Sequence, residues 1–181
     1  MFSKANRFYG GHGIVGAQVP IGVGLAFAHK YRNEKKISRV YVGDGAMSNG
    51  QVFEAFNLAS LWSLPVLFII ENNRYGMGTA VNRSAAGKDL FERATVFGIE
   101  GEKINGMDFF EVSQAAIRAR DHIYENSKPY VIEMDTYRYR GHSMSDPATY
   151  RSKDEVNEMK SNDPLITMKN KLQKDFKIKE D

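Results

Sequence analysis

The chain contains no cysteine, one tryptophan and five prolines in 181 residues. Without cysteine it has no disulfide, thiolate metal ligand or cysteine nucleophile, which fits a reducing compartment. It also lacks a hydrophobic run long enough to span a bilayer, and its first seven residues are too polar for a secretory signal. The formal charge of +3 is small, and the C-terminal lysines alternate with acids. Neither a membrane nor a nucleic acid is therefore indicated as a partner.

The remaining composition is that of a globular protein, with 42% hydrophobic and 26% charged residues. The length suffices for one domain or slightly more. We expect a ligand-binding α/β domain over residues 1–150 and a C-terminal helical segment over residues 151–181.

The stretch GDGAMSNGQVFEAFNLASLWSLPVLFIIENNRYG, residues 43–76, organises the chain. An apolar run precedes Gly-Asp-Gly, an amphipathic segment follows it, and a second apolar run (66–70) leads to Asn-Asn. This order predicts a strand, a tight turn, a helix capped by Ser48 or Asn49, and a second strand. In a right-handed parallel crossover both strands end at the same edge of the sheet.

Asp44 and Asn73 are therefore expected to lie side by side at that edge. One carboxylate and one amide oxygen suit Mg²⁺, which prefers six oxygen ligands. The main-chain carbonyl of Tyr75 would supply a third ligand, and two diphosphate oxygens and a water the others. Gly45 and Ala46, at the expected helix start, would offer backbone N–H groups to the diphosphate.

Residues 9–16, YGGHGIVG, carry four glycines. The segment is typical either of a flexible loop or of a loop that presents backbone groups to a ring or an anion. A helix is predicted after it, ending near residues 31–33. Gly22 and Gly24 weaken its helix propensity, which favours close packing against another helix.

The rest of the pattern predicts an α/β fold, a mainly parallel sheet flanked by helices. Its expected elements are a short helix within 85–98, a strand at 102–104, a helix from the Asp108 cap to about residue 124, a strand at 130–134 that could reach 137, and surface helices at 153–160 and 164–176. A polar loop, YRGHSMSDPATY, occupies residues 139–150.

Three stretches together resemble the alpha subunits of thiamine-diphosphate-dependent 2-oxo acid dehydrogenase E1 components. They are FYGGHGIVGAQVPIGVGLAFA, the stretch from GDGAMSNG to ENNRYGMGT, and TYRYRGHSMSDPATYRS. The resemblance covers about residues 1–165. GHSMSDP is similar to the pyruvate dehydrogenase branch of the family rather than to its branched-chain relative.

The resemblance implies a thiamine-diphosphate-binding fold and gives roles to matching positions. Asp44, Asn73 and the Tyr75 carbonyl match the Mg²⁺ ligands, and Gly45 and Ala46 match diphosphate contacts. The main chain of Gly13 and Val15 matches the positions that receive the aminopyrimidine ring.

His142 matches a catalytic loop histidine near the diphosphate and the substrate entrance. A histidine can donate a proton to a phosphate oxygen or an intermediate at near-neutral pH, although a lone loop histidine is more often simply exposed. Arg138 and Arg140 would be an alternative source of positive charge for the phosphate, or ordinary surface residues. His12 is interpreted as a loop residue.

The resemblance also implies a site of regulation. Ser143 matches a serine that is phosphorylated in mitochondrial members, Thr149 lies near a second such position, and Ala80 stands where a third can occur. A phosphate on Ser143 would place negative charge beside the diphosphate and repel it.

The implied activity is oxidative decarboxylation of pyruvate with acetyl transfer to a lipoyl-bearing E2. The implied partner is an E1 beta subunit in an alpha2beta2 heterotetramer, in the bacterial cytoplasm or the mitochondrial matrix. No carboxylate of this chain is a convincing activator of the aminopyrimidine, and in the family the beta subunit supplies it. The chain would therefore hold half of a shared site.

Two alternatives remain open at this point. One is the same chemistry on another 2-oxo acid or acetoin. The other is a truncated, non-catalytic remnant, because the chain begins where the family usually has a substantial N-terminal portion.

Overall fold

A computed structural model describes residues 2–87 and 89–178 of the chain. Met1 and residues 179–181, at the ends of the two predicted regions, lie outside this range, as does Lys88. The predicted division after residue 150 stays a prediction. None of the helices within the described ranges is long and apolar enough to cross a membrane.

The chain contains both helices and short strands. The helices are α1 (Gln18–Tyr31), α2 (Gly50–Leu61), α3 (Val81–Ser84), α4 (Glu92–Thr95), α5 (Phe109–Asn126), α6 (Lys153–Ser161) and α7 (Pro164–Asp175), and a 3-10 turn spans Asp44–Ser48. The strands are β1 (Ser38–Gly43), β2 (Val66–Asn72), β3 (Tyr75–Gly76), β4 (Thr79–Ala80), β5 (Glu100–Asn105) and β6 (Tyr130–Asp135).

Four strands form one parallel sheet in the order β1-β2-β6-β5, and β3 and β4 form a small antiparallel hairpin. The register pairs Gly43 with Glu71, and Asn72 and Asn105 with Asp135. The carboxyl ends of all four strands therefore lie along one edge. This confirms the predicted α/β class with a parallel sheet flanked by helices.

The packing of strand β2 explains why its residues 66–70 are all apolar. Val66, Phe68 and Ile70 pack in the core beneath α1 and α2, whereas Leu67 and Ile69 pack on the opposite face with α5. Because neighbouring side chains of a strand point to opposite faces, a strand covered on both sides needs apolar residues throughout.

Helix starts follow the capping signals of the sequence. The Asn49 side chain accepts a hydrogen bond from the backbone N–H of Gln51 at the start of α2. The Asp108 side chain accepts from the N–H groups of Phe110 and Glu111 at the start of α5. These bonds satisfy backbone donors that have no partner within the helix.

Two expectations about local structure were wrong, and a third was confirmed. The predicted close helix–helix contact at Gly22 is instead a contact with the sheet, because a Cβ there would overlap Cγ2 of Val40 in β1. The short helix expected within 85–98 is present as α4, which is a single turn. Gly45 and Ala46 do not start a helix: they lie in the 3-10 turn, and α2 begins five residues after Gly45.

Candidate functional site

Two glycines hold the turn after β1 against the loop after β2. A Cβ built on Gly45 would lie 3.1 Å from Cα of Gly76, and a Cβ built on Gly76 would lie 3.1 Å from Cα of Gly45 and 3.8 Å from Oδ2 of Asp44. The two backbones therefore approach more closely than most side-chain-bearing residues allow. This contact brings the Asp44 turn beside residues 73–76.

Asp44 is a buried carboxylate with unused bonding capacity. Its side chain is 5% exposed, and Oδ2 has no hydrogen-bond partner among the described residues. Burial raises its pKa above the usual value, while the backbone N–H groups of Asp44 and Asn73 and the charge of Arg138 act in the opposite direction. A buried oxygen of this kind is costly in an isolated protein and is suited to a cation.

The loop after β2 presents two neutral oxygens. The Asn72 side chain accepts from the N–H of Arg74 at 3.2 Å, and Arg74 has a left-handed backbone with φ of 72°. The backbone turns at Arg74, and Asn73 and Tyr75 lie on either side of this turn. The side-chain oxygen of Asn73 and the main-chain oxygen of Tyr75 both accept hydrogen bonds from Nη1 of Arg138, at 3.2 and 2.9 Å.

Arg138 uses all five of its N–H donors. Besides the two bonds from Nη1, Nη2 donates to the Met77 carbonyl at 2.6 Å and to the Tyr150 hydroxyl at 2.9 Å, and Nε donates to the Arg140 carbonyl at 3.3 Å. Its guanidinium therefore links the loop after β2 to the loop at 139–150. The alternatives of phosphate partner and free surface residue do not fit an arginine whose donors are all taken by the protein.

The loop at 139–150 is folded around Asp146. Its carboxylate accepts from the N–H groups of His142 and Ala148 and from the Tyr150 hydroxyl, and these bonds lower its pKa. The His142 side chain is exposed, and only its backbone N–H is bonded here. Ser143 is also exposed, with its hydroxyl 3.1 Å from that of Ser145. The loop thus presents both predicted residues to solvent.

The glycine-rich loop lies beside the start of α2. The Val15 carbonyl accepts from the side-chain amides of Asn49 and Gln51, each at 3.1 Å, while the Val15 side chain is 64% exposed. Gly16 has φ of 83°, where side-chain-bearing residues are strained. Gly13 is exposed. The loop is therefore held by its carbonyl, and its apolar side chains are left uncovered.

One buried acid near this edge was missed by sequence reasoning. Glu133 of β6 is fully buried, accepts from the Asn72 side chain at 2.7 Å, and accepts from the N–H groups of Leu90 and Phe91 at 2.6 and 3.0 Å. It therefore supports the loop after β2 from behind. The sequence carried a signal for this role. Glu133 is an acid flanked by apolar residues within β6, and an acid at such a position is rarely buried without hydrogen-bond partners.

The donors fit a magnesium ion bound together with a phosphate group. Mg²⁺ takes one or two protein carboxylates with neutral oxygens and keeps places for water or phosphate. Asp44 supplies an unpartnered carboxylate oxygen, and amide and peptide carbonyl oxygens each have a second lone pair for a further ligand. Among the described residues no group of three or more His, Cys, Asp or Glu is placed to hold a metal.

Fold and site together define an α/β protein that gathers ligand groups at the carboxyl edge of a parallel sheet, where such folds bind their ligands. Comparison with known proteins gives the particular family. Residues 1–180 match the family described as dehydrogenase E1 component, and the chain belongs to that family.

Its relatives include bacterial and mitochondrial proteins. Pyruvate dehydrogenase E1 component subunit alpha of Rickettsia felis is 56% identical over 169 residues, which is 93% of this chain and 52% of the relative. The subunit of the same name from Rhizobium meliloti is 56% identical over 173 residues, 95% of this chain and 50% of the relative.

The mitochondrial subunit of Saccharomyces cerevisiae is 56% identical over 171 residues, covering 93% of this chain and 40% of its own length. The chain therefore spans about half the length, or less, of these curated relatives.

Proposed function

We propose that this chain is the alpha-subunit half of a pyruvate dehydrogenase E1 site, which binds the diphosphate of thiamine diphosphate through Mg²⁺. The observation that carries the proposal is the buried, unpartnered Oδ2 of Asp44 beside a loop that presents the Asn73 and Tyr75 oxygens. Membership of the dehydrogenase E1 family supports the cofactor, and the names of the relatives support pyruvate as the substrate.

The residues of the chain would then have distinct tasks. Asp44, Asn73 and the Tyr75 carbonyl would hold Mg²⁺, and Gly45 and Ala46 of the 3-10 turn would offer N–H groups to the diphosphate. Gly43, which precedes Asp44, is the last residue of β1, so the 3-10 turn lies at the carboxyl edge of the sheet. The rigidity of the edge would fix the ion and exclude part of its water shell.

The two flanking loops would act on the rest of the ligand. The main chain of Gly13 and Val15 would receive the aminopyrimidine ring, and His142 would donate a proton to a phosphate oxygen or to the reacting group. When bound, thiamine diphosphate supplies the carbon nucleophile and the electron sink for decarboxylation.

Assembly completes the proposal. A beta subunit, in an alpha2beta2 heterotetramer, would contribute the carboxylate that activates the ring, and the acetyl group would pass to a lipoyl-bearing E2. Phosphorylation of the exposed Ser143 would weaken binding of the cofactor, because it would place negative charge beside the diphosphate and repel it. Such a complex would lie in the bacterial cytoplasm or the mitochondrial matrix, and the bacterial and mitochondrial origins of the relatives support this.

Calorimetry tests the proposal directly. Thiamine diphosphate is titrated with and without Mg²⁺ into the chain alone and into the chain mixed with an E1 beta subunit. We expect saturable, Mg²⁺-dependent binding in the mixture, weakened at least about a hundredfold by Asp44→Ala because a charged metal ligand is lost.

The control is Asp121→Ala, which removes an exposed carboxylate on α5 and should leave binding unchanged. Binding that survives Asp44→Ala, or a folded mixture that does not bind, would contradict the proposal.

A further inference from the structure

The guanidinium of Arg138 donates from one nitrogen to both neutral oxygens of the proposed metal site. Nη1 lies 3.2 Å from the Asn73 side-chain oxygen and 2.9 Å from the Tyr75 carbonyl oxygen. These oxygens come from two residues on either side of Arg74, and no other side-chain donor to either of them is found in residues 2–87 and 89–178. The distance between the two ligands is therefore set by a single planar group.

A cation beside metal ligands has two opposite effects. It can compete with the metal for the same oxygens and repel it, or it can fix the oxygens in place while the metal uses their remaining lone pairs. The structure separates these cases. Arg138 bonds the two neutral oxygens but leaves Oδ2 of Asp44 without a partner, so it does not satisfy the one group that needs a cation most.

The loop that carries the two oxygens needs external support. Arg74 and Met77 both have left-handed backbones, with φ of 72° and 52°, a conformation that costs free energy for residues other than glycine. Arg138 bonds the Tyr75 and Met77 carbonyls within this stretch. The guanidinium of arginine is planar and has five donors, so it loses little conformational freedom when it forms these bonds. A lysine side chain cannot reproduce them.

We propose that Arg138 is a positioning residue for the metal: it holds the Asn73 and Tyr75 oxygens in the geometry that Mg²⁺ needs, and it does not contact the ion or the substrate. The inference rests on the proposed Mg²⁺ site. It also links that site to the loop of His142 and Ser143, because Nη2 of the same guanidinium binds Tyr150.

The two effects of Arg138 predict opposite results when its charge is removed. If the guanidinium competed with the metal, Arg138→Met would tighten metal binding. If it positions the ligands, the same variant weakens binding even though one repelling charge has gone. Octahedral Mg²⁺ is demanding in geometry, so misplaced oxygens lower its affinity strongly.

The experiment uses Mn²⁺, which accepts similar oxygen ligands and is detected by electron paramagnetic resonance. The chain is mixed with an E1 beta subunit, and the Mn²⁺ dissociation constant is measured with and without thiamine diphosphate. We expect Arg138→Met to raise this constant about tenfold or more, and Arg138→Lys to restore only part of the loss.

Two matched variants isolate the effect of Nη1. Arg140→Met removes the same charge from an exposed side chain, two residues after Arg138 in the chain. It should leave the dissociation constant unchanged or slightly lower. Tyr150→Phe removes one of the two Nη2 partners and an anchor of the 139–150 loop while leaving both Nη1 bonds, and should change the constant less than about twofold. Circular dichroism and urea unfolding establish that each variant is folded; if Arg138→Met is not, Arg138→Lys carries the comparison.

The outcomes separate this inference from the proposed function. Absence of Mn²⁺ binding by the unmodified mixture overturns the proposed function and the inference with it. Normal or tighter binding by Arg138→Met overturns the inference alone, as does an equal loss in Tyr150→Phe, which would assign the effect to a loosened loop.

Discussion

Asp44 shows at the scale of one residue how a buried carboxylate costs stability. Its carboxylate is buried, and its pKa is raised from the ordinary 3.8 mainly by loss of hydration. Because the folded-state pKa lies above the unfolded value, the folded state is favoured when the group is protonated, and this advantage is lost as the pH rises through the folded pKa. At neutral pH the charged group opposes folding.

We therefore predict that Asp44→Asn stabilises the metal-free protein at about pH 7, by on the order of 1 kcal/mol. The gain should shrink as the pH is lowered from about 7 towards about 4, because Asp44 of the native chain takes up a proton as the pH falls through its raised folded-state pKa. Urea unfolding without divalent ions at the two pH values measures it. A variant that is less stable at neutral pH would show that the carboxylate is already compensated within the chain.

Strand β6 shows at the scale of an element how a buried acid organises its neighbours. Glu133 joins the end of β2, through Asn72, to the segment before α4, through the N–H groups of Leu90 and Phe91. Lys103 of β5 lies 3.7 Å from the same carboxylate, and its pKa is raised by Asp89 and Glu133 against the effect of burial. The Glu133 carboxylate thus accepts hydrogen bonds from donors that the pairing of the strands leaves without partners.

Glu133→Gln is expected to destabilise the protein by about 2–4 kcal/mol. The glutamine amide has an NH2 donor in place of one carboxylate oxygen. This donor would face either the Asn72 amide or the N–H groups of Leu90 and Phe91, all of which now donate to Glu133, so buried donors would be left unpaired. Chemical denaturation followed by circular dichroism measures the change. Glu100→Gln is the control: this acid on β5 is 68% exposed, so its loss should fall within about 0.5 kcal/mol. Equal effects of the two variants would refute the role given to Glu133.

At the scale of the whole molecule, an acid of α6 joins the C-terminal helices to the edge of the sheet that carries the candidate site. Glu155 accepts from the hydroxyl groups of Tyr75 and Tyr137, at 3.0 and 2.8 Å to Oε1. The Arg151 guanidinium lies over the rings of both tyrosines, and it donates to the carbonyls of Arg138 and Arg140. A charged and aromatic cluster therefore connects α6 to the loop after β2.

Glu155→Ala should free this connection and increase trypsin cleavage between residues 138 and 160 about tenfold, because local opening becomes easier when charged hydrogen bonds are lost. Glu158→Ala, on the exposed side of the same helix, should leave the cleavage rate unchanged. Similar rates for both variants and the native chain would mean that other contacts hold the helix.

Much of the fold could be predicted because its signals are local. The continuous apolar run of β2, the caps Asn49 and Asp108, and the Gly-Asp-Gly and Asn-Asn pairs each depend on residues close together in the chain. The parallel crossover then required Asp44 and Asn73 to reach the same edge of the sheet. The sequence by itself therefore determined the α/β class, the family and the place of the candidate site.

Only the tertiary structure decided how that edge is held together. The close approach of Gly45 and Gly76, the bonds of Arg138 to the loop after β2 and the bonds of buried Glu133 join segments about 30 to 65 residues apart. Sequence periodicity describes one element at a time and carries no information about which distant donor meets which acceptor. That pairing is settled by the packing of all elements at once, since every buried polar group must find its partner there.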